Sequence, residues 1–170
     1  MILATLPLVL MAAGPMEDAS QDRYRPSRDQ ERVDRSISDI PIEANFETVR
    51  GRLECIASCN EGDEAEWQDG QGTRYHFWGG PGELWVVIKR VDAADFAGPI
   101  PALEIGAARE RSEVLAAAKN FIPGAEFQCT DPEPGISEEC QAFLDPGWVT
   151  IRFDATGRLS EVRLDGYHFT

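Results

Sequence analysis

Apolar residues recur every three or four positions between residues 42 and 56. They are Ile42, Phe46, Val49, Leu53 and Ile56. Residues with this spacing lie on one face of a helix, and Asn45 is a residue type favoured at a helix N-cap. The pattern predicts an amphipathic helix over residues 46–58, at the start of a folded domain that begins near Ile40.

A second stretch with helical spacing lies further along the chain. Its apolar positions are Val114, Leu115, Ala118 and Phe121. They predict a helix over residues 108–121, which the Ile-Pro-Gly sequence that follows would end. Residues 60–72, between the two predicted helices, are rich in acids but lack the spacing of a calcium-binding loop. We expect a solvated loop there.

Alternation of apolar and polar residues predicts two β-hairpins. The first joins Tyr75–Trp78 to Leu84–Val91 through a Gly-Gly-Pro-Gly turn. The second joins Trp148–Phe153 to Leu159–Leu164 through Asp-Ala-Thr-Gly. The strands are rich in β-branched and aromatic residues, and both connections contain residues that reverse the chain easily.

The order helix, strand, strand occurs twice. The segments HFWGGPGELWVV and IRFDATGRLSEV align, with Phe77 over Phe153 and Leu84 over Leu159, if the first turn is two residues longer. Two such units can join their hairpins in one antiparallel sheet. We predict an α+β domain over residues 40–170, built from two helix-strand-strand units at 40–98 and 99–170, with both helices on one face. Chance similarity between two halves of an α+β chain is the alternative.

The amino-terminal residues predict export. Residues 1–13 are uncharged and mostly apolar, a run too short to cross a bilayer but suited to the apolar core of a secretion signal. We predict a signal over residues 1–14, cleavage between about residues 12 and 20, and a periplasmic or secreted protein. The alternative is a strand or helix that the mature chain keeps.

Residues 15–39 predict a flexible charged linker. This segment is almost devoid of large apolar side chains, and acids alternate with arginines along it. Such a composition buries too little apolar surface to offset the entropy lost on ordering. A short polar helix around Asp29–Arg35 is the alternative.

Four cysteines agree with export, because an even number of cysteines in an exported chain is typical of disulfides. They are Cys55, Cys59, Cys129 and Cys140. Three connectivities are open, and we favour the local pairs Cys55–Cys59 and Cys129–Cys140. A four-cysteine zinc site is the alternative, although the spacing does not suit zinc in both halves. We predict no metal site.

The formal net charge of −14 limits the range of partners. Such a surface repels phosphates, which argues against nucleic acid and against anionic lipid. A protein partner, in particular a basic one, is compatible with this charge. The alternative is that the acidic surface serves solubility alone. We predict no membrane insertion after processing.

Motifs of the common catalytic sites are missing from the sequence. It contains no G-x-S-x-G, H-E-x-x-H, P-loop or dinucleotide-binding motif. Its two histidines, His76 and His168, lie in Tyr-His-Phe triplets, and its 30 carboxylates single out no pair. Binding is therefore the favoured function, and we predict no cofactor. An envelope hydrolase with a dispersed carboxylate pair and a structural envelope component are the alternatives.

Large aromatic side chains mark the first hairpin as a candidate binding surface. Trp78 and Trp85 flank its glycine-rich turn, and tryptophan and tyrosine are favoured anchors in protein interfaces. We predict a binding site formed by Trp78, Trp85, Tyr75 and Glu83. The alternative is that both tryptophans pack within the fold.

Alternation also predicts which residues of the long strand share a face. One face carries Trp85, Val87 and Lys89, and the other carries Leu84, Val86 and Ile88. Trp85 should therefore point away from the face that Leu84, Val86 and Ile88 bury.

This layout resembles that of the β-lactamase inhibitory protein group, and one half of it is similar to the small outer-membrane assembly lipoprotein domain. The resemblance rests on FDATGRLSEVRL, on its fainter copy in the first hairpin and on the cysteines, and it covers roughly residues 40–170. It implies a sheet that binds another protein. It carries over no partner and no contact residue.

Overall fold

A computed structural model describes residues 25–59, 65–80, 83–130 and 137–166. The predicted export signal, residues 1–14, and the predicted cleavage region lie outside the described residues. So do His168 and part of the predicted loop over residues 60–72.

The first helix, α1, spans Arg28–Ile37, and the hydroxyl of Ser27 caps it by accepting a hydrogen bond from the backbone of Gln30. Val33 and Ile37 are fully buried on one side of this helix. The predicted flexible linker, residues 15–39, is therefore wrong over α1, and the alternative of a short helix is right. Two buried apolar side chains four positions apart are enough to stabilise α1, because the helix packs against the rest of the domain.

The predicted helix over residues 46–58 is wrong beyond its first turn. Helix α2 spans Phe46–Val49, and a 3₁₀ turn over Arg50–Arg52 leads into strand β1, Leu53–Ala57. Asn45 caps α2 as predicted, since its side chain accepts from the backbone of Glu47 at 3.0 Å. Gly51 disfavours a continued helix, and pairing with a neighbouring strand gives residues 53–57 an alternative set of backbone hydrogen bonds.

The remaining elements are seven strands and one helix. The strands are β2 Glu66–Asp69, β3 Arg74–Gly80, β4 Glu83–Asp92, β5 Gln128–Cys129, β6 Glu138–Phe143, β7 Trp148–Phe153 and β8 Leu159–Asp165, and helix α3 spans Arg111–Phe121. Both predicted hairpins and the second predicted helix are confirmed. Strand β2 corrects the predicted loop over residues 60–72, because polar side chains suit a strand whose faces are only half-buried.

The eight strands form one antiparallel sheet in the order β1-β2-β3-β4-β8-β7-β6-β5. Strands β1 to β4 follow in chain order from one edge to the centre, and β5 to β8 do so from the other edge. The last strands of the two series, β4 and β8, pair at the centre. With its helices, this sheet confirms the α+β fold class.

One face of the sheet contributes the main apolar core. Phe77, Val86, Val91, Ile151 and Leu164 are at most 1% exposed. The ring of Phe46, from α2, lies 4.9 Å from that of Phe77, centroid to centroid. We call the side of the sheet that carries these residues the core face.

A buried ion pair attaches α1 to the core face. Lys89, on β4, is fully buried, and its ammonium lies 2.6 Å from a carboxylate oxygen of Asp34. It also donates to the backbone carbonyls of Asp34 and Ser38. Burial lowers the pKa of Lys89, while the adjacent carboxylate of Asp34 acts in the opposite sense. The same carboxylate accepts from the backbone of Ile42 at 3.1 Å.

A β-bulge changes the predicted alternation along β4. Phe77 pairs with Val86 but His76 pairs with Ile88, so Val87 is an extra residue in β4. An extra residue shifts the alternation of the side chains that follow. The predicted faces are therefore wrong beyond Val87: Lys89 joins Val86 on the core face, and Ile88 joins Trp85 on the other.

Candidate functional site

The face of the sheet opposite to the core face carries three of the four tryptophans. Trp78 pairs with Trp85 across β3 and β4, and Trp148 pairs with Phe143 across β7 and β6. Directly paired residues of antiparallel strands point to the same side. Ile88 and Asp165 lie in one cross-strand row with Trp148 and Phe143, and the Trp78–Trp85 pair lies in the next row on the same side. We call this side the tryptophan face.

The aromatic side chains of this face are large and exposed. The exposed fractions are 48% for Trp78, 39% for Trp85, 47% for Trp148 and 53% for Phe143. The rings of Phe143 and Trp148 contact each other, with centroids 5.0 Å apart. Exposed apolar groups in contiguous patches mark interaction sites more often than singly scattered ones do.

On the same side of the sheet, a row of arginines crosses the strands next to the row that contains Ile88 and Asp165. Arg74, Arg90 and Arg163 are successive cross-strand neighbours on β3, β4 and β8. The next row contains Asp92, Glu161, Arg152 and Glu139. We call the four arginines of these two rows, with the carboxylates that bind them, the arginine ladder.

Each arginine of the ladder contacts at least one carboxylate. Arg74 lies 3.1 Å from Asp92 and 2.9 Å from Asp95. Arg90 lies 3.5 Å from Glu66, 3.3 Å from Asp92 and 3.6 Å from Glu161. These pairs are part-buried, so solvent and salt screen them less than fully exposed pairs.

The other half of the ladder lies on β6, β7 and β8. Arg152 contacts Glu139 at 2.6 Å and Glu161 at 3.2 Å, and Arg163 contacts Asp165 at 2.8 Å. The hydrogen bond that Arg152 donates to Glu139 raises the pKa of Arg152. Burial raises the pKa of Glu161, and the neighbouring Arg152 and Arg90 limit that rise.

Four buried polar atoms of this face make no contact of hydrogen-bond geometry among the described residues, although two of them, Nε of Arg90 and Oε1 of Glu161, lie in ion pairs at 3.3 Å and 3.2 Å. They are Nε of Arg74, Nε of Arg90, Oγ1 of Thr150 and Oε1 of Glu161. Most buried polar atoms in proteins are hydrogen-bonded, so Nε of Arg74 and Oγ1 of Thr150 are the two exceptions that no ion pair of the same atom accounts for. Thr150 is fully buried although it lies on this face, beside Arg163.

The structure brings three of the four predicted binding residues together. Trp78 and Trp85 form a cross-strand pair, and the exposed Glu83 lies two positions from Trp85 on the same side. Tyr75 is 1% exposed on the core face, where its hydroxyl donates to Asp69 at 2.5 Å. Burial raises the pKa of Tyr75. Tyr75 therefore does not belong to the tryptophan face.

The binding site predicted from the sequence did not include Phe143, Trp148 or the arginine ladder. Alternation along β7 puts Trp148, Thr150 and Arg152 on one side, which is a visible signal. The pairing of β8 with β4 is what brings that side next to Trp85. Nothing in a local pattern predicts a pairing between strands that are about seventy residues apart.

A cavity of about 400 Å³ opens beside the Phe143–Trp148 pair. Its lining comprises Gln141, Phe143, Pro146, Gly147, Trp148, Arg163, Asp165 and Gly166. An aromatic wall with a few polar groups is typical of surfaces that bind amphipathic groups of a ligand or partner. The tryptophan face is therefore concave at this end.

The cysteines form the two predicted disulfides. Cys55, on β1, pairs with Cys59, and Cys129 pairs with its cross-strand neighbour Cys140 across β5 and β6. The two bonds lie at opposite edges of the sheet. Cys55 lies on β1 and not in the helix predicted over residues 46–58.

One group of metal-ligand residue types occurs among the described residues: Cys129, Glu138 and Cys140. The two sulfurs are bonded to each other. The Glu138 carboxylate accepts two bonds from Arg111, at 2.6 and 2.7 Å. These three residues are therefore engaged in structural contacts.

Within the described ranges, the helices are all too short or too polar to cross a bilayer. No protein-family model, curated protein or solved structure matches this chain. Its function therefore has to be argued from the geometry of the tryptophan face.

Proposed function

We propose that this chain is an exported protein-binding domain, an inhibitor or an envelope assembly module, and that the tryptophan face is its contact surface. The observation that carries the proposal is the exposure of two cross-strand aromatic pairs, Trp78–Trp85 and Phe143–Trp148, on one side of one sheet. The exposure of four large aromatic side chains to water is unfavourable, and binding of a partner would bury their apolar area.

In this proposal the domain consists of two related units whose helices lie together on the core face. The mirrored strand order supports this view. So do three contacts from the helices to core-face residues: Phe46 with Phe77, Asp34 with Lys89, and Arg111 with Glu138. The tryptophan face is then the side of the sheet left to a partner.

The two parts of the tryptophan face have different roles in binding. Trp78, Trp85 and Trp148 supply area at little cost in side-chain entropy, and such anchors carry most of the energy in many interfaces. The arginine ladder holds its side chains in place through ion pairs before a partner arrives. Preorganised side chains lose less entropy on binding.

The hydrolase alternative finds less support on this face. A dispersed acid pair needs at least one carboxyl group that can give or take a proton. Glu139 and Asp165 accept bonds from Arg152 and Arg163, and Glu161 lies between two arginines. Glu139 and Asp165 are thus held in ion pairs, which suits a structural role, and Glu161, whose pKa burial raises, is held between Arg90 and Arg152.

Truncation of one tryptophan tests the proposal. We expect Trp85→Ala or Trp148→Ala to raise the Kd for the partner about 30-fold, which corresponds to about 2 kcal/mol per buried anchor. The fold should persist because both side chains are exposed in the free protein. The chain, with its disulfides formed, would capture the partner from envelope extract, and the purified partner would then be titrated calorimetrically.

The control for this test is Lys119→Ala, which removes an exposed side chain of α3. We expect its Kd to stay within a factor of about two, as for residues outside an interface. If both tryptophan variants keep their melting temperature and still bind the purified partner with the original Kd, the proposal is wrong.

A further inference from the structure

We infer that the partner presents a basic segment, rich in lysine or arginine, to the tryptophan face. This inference rests on the proposed function and specifies the chemistry of the partner. Two observations support it: carboxylates outnumber arginines on the face, and each of these arginines is already in an ion pair.

The positive groups of this face are already neutralised. The chain has two lysines, Lys89 and Lys119; Lys89 is buried on the core face and Lys119 lies on α3. Among the described residues, the positive charges of the face are therefore the four arginines of the ladder. Each lies within 3.1 Å of a carboxylate except Arg90, which is 3.3–3.6 Å from three of them. A partner carboxylate would have to displace these contacts.

Carboxylates outnumber the arginines. Six of them contact the ladder: Glu66, Asp92, Asp95, Glu139, Glu161 and Asp165. Two more lie on the face without being part of the ladder, since Glu54 pairs with Gln68 in the row of Arg74, and Glu83 lies two positions from Trp85. Both are exposed. The described part of the face is therefore acidic beyond what its arginines neutralise.

A basic partner would neutralise the excess negative charge of the tryptophan face, whereas an acidic partner would be repelled. Burying a carboxylate without a counter-ion is unfavourable, so a partner that covers Glu54 or Glu83 needs a cation opposite each. The aromatic pairs favour the same chemistry, because ammonium and guanidinium groups are attracted to exposed tryptophan rings. Charge and aromatic surface thus select one class of partner.

The test uses the oxidised full chain labelled with ¹⁵N at its tryptophan indoles, titrated with an octalysine peptide. We expect the indole signals of Trp78, Trp85 and Trp148 to shift. The signal of Trp67 should stay in place, because Trp67 packs against Phe46 with ring centroids 4.9 Å apart. An octaglutamate peptide should shift none of them. If octalysine leaves the three signals unmoved, or octaglutamate moves them as far, the inference is overturned.

Two variants of equal net charge distinguish the effect of acids on the tryptophan face from the effect of the protein's overall charge. Glu54→Gln/Glu83→Gln removes two exposed acids of the face, and Glu47→Gln/Glu113→Gln removes two exposed acids from α2 and α3. Both change the net charge equally. We expect the first to raise the Kd for octalysine about fivefold and the second less than about twofold. Equal effects would overturn the inference.

This experiment can fail without the proposed function failing. If octalysine does not distinguish the variants while Trp148→Ala still loses the captured partner, the face binds a protein that is not basic. If the tryptophan variants keep the partner, the proposed function itself is wrong.

Discussion

Replacing Asp34 with alanine is expected to destabilise the protein by about 3–5 kcal/mol, because the ammonium of Lys89 is then buried without its counter-ion. Lys89 has no exposed surface, and Asp34 is 14% exposed at its side chain, so solvent cannot replace the lost contact. The backbone of Ile42 loses an acceptor in the same variant. Urea unfolding monitored by circular dichroism measures the change.

Two further variants distinguish the buried charge from a general effect on α1. Glu31→Ala removes an exposed partner of Arg35 on the same helix and should cost less than about 1 kcal/mol. Adding Lys89→Met to Asp34→Ala removes the unpaired charge while filling a similar volume, and we expect it to restore much of the loss. If Asp34→Ala costs no more than Glu31→Ala, the buried pair does not hold α1 to the sheet.

The second large effect concerns the disulfide between Cys129 and Cys140. Replacing both cysteines with alanine should cost about 2–3 kcal/mol, the value expected from chain entropy for a loop of this length. The sequence separation is 11 residues for this bond and 4 for Cys55–Cys59. Cys140 is also fully buried, so its sulfur contributes packing as well.

The matched variant is Cys55→Ala/Cys59→Ala at the other edge of the sheet. Its cost should be smaller, about 2 kcal/mol or less, because the loop is shorter and neither residue is fully buried, Cys55 being exposed and Cys59 half-buried. Thermal unfolding of the two variants side by side compares them. A larger loss for the Cys55–Cys59 variant would contradict this ranking.

Local patterns predicted the elements that local forces determine. Both hairpins follow from alternation and from turn residues such as Gly157, which adopts a positive φ of 79°. Helix α3 follows from the spacing of Val114, Ala118 and Phe121, all of them buried. The local disulfides follow from the even number and the proximity of the cysteines.

The errors arose where tertiary contacts outweigh local preference. Leu53 and Ile56 continue the period of α2, yet they belong to β1 because pairing with β2 is available. The charged residues around Val33 suggest disorder, yet the buried pair of Asp34 with Lys89 and two apolar contacts order them. The bulge at Val87 moves Lys89 to the core face, and no sequence pattern marks it.

Only the Trp78–Trp85 part of the tryptophan face was predicted, because the rest depends on contacts between distant parts of the chain. Trp78 and Trp85 are neighbours in one hairpin, so a local pattern finds them. Trp148 and Phe143 join them only because β8 pairs with β4 at the centre of the sheet. Tyr75 was wrongly predicted as a binding residue although it lies in the same hairpin. Successive residues of β3 point to opposite sides of the sheet, and Tyr75 points to the core face.

The most direct test of the central claim is oxidative footprinting of the complex with its purified partner. In the free protein, hydroxyl radicals should oxidise Trp78, Trp85 and Trp148 readily, because each of these residues is 39–48% exposed. In the complex, these three tryptophans should be protected, while Lys119, on α3, should stay as accessible to acetylation as before. Unchanged oxidation of all three in a saturated complex would show that the partner binds elsewhere and that the tryptophan face is not its contact surface.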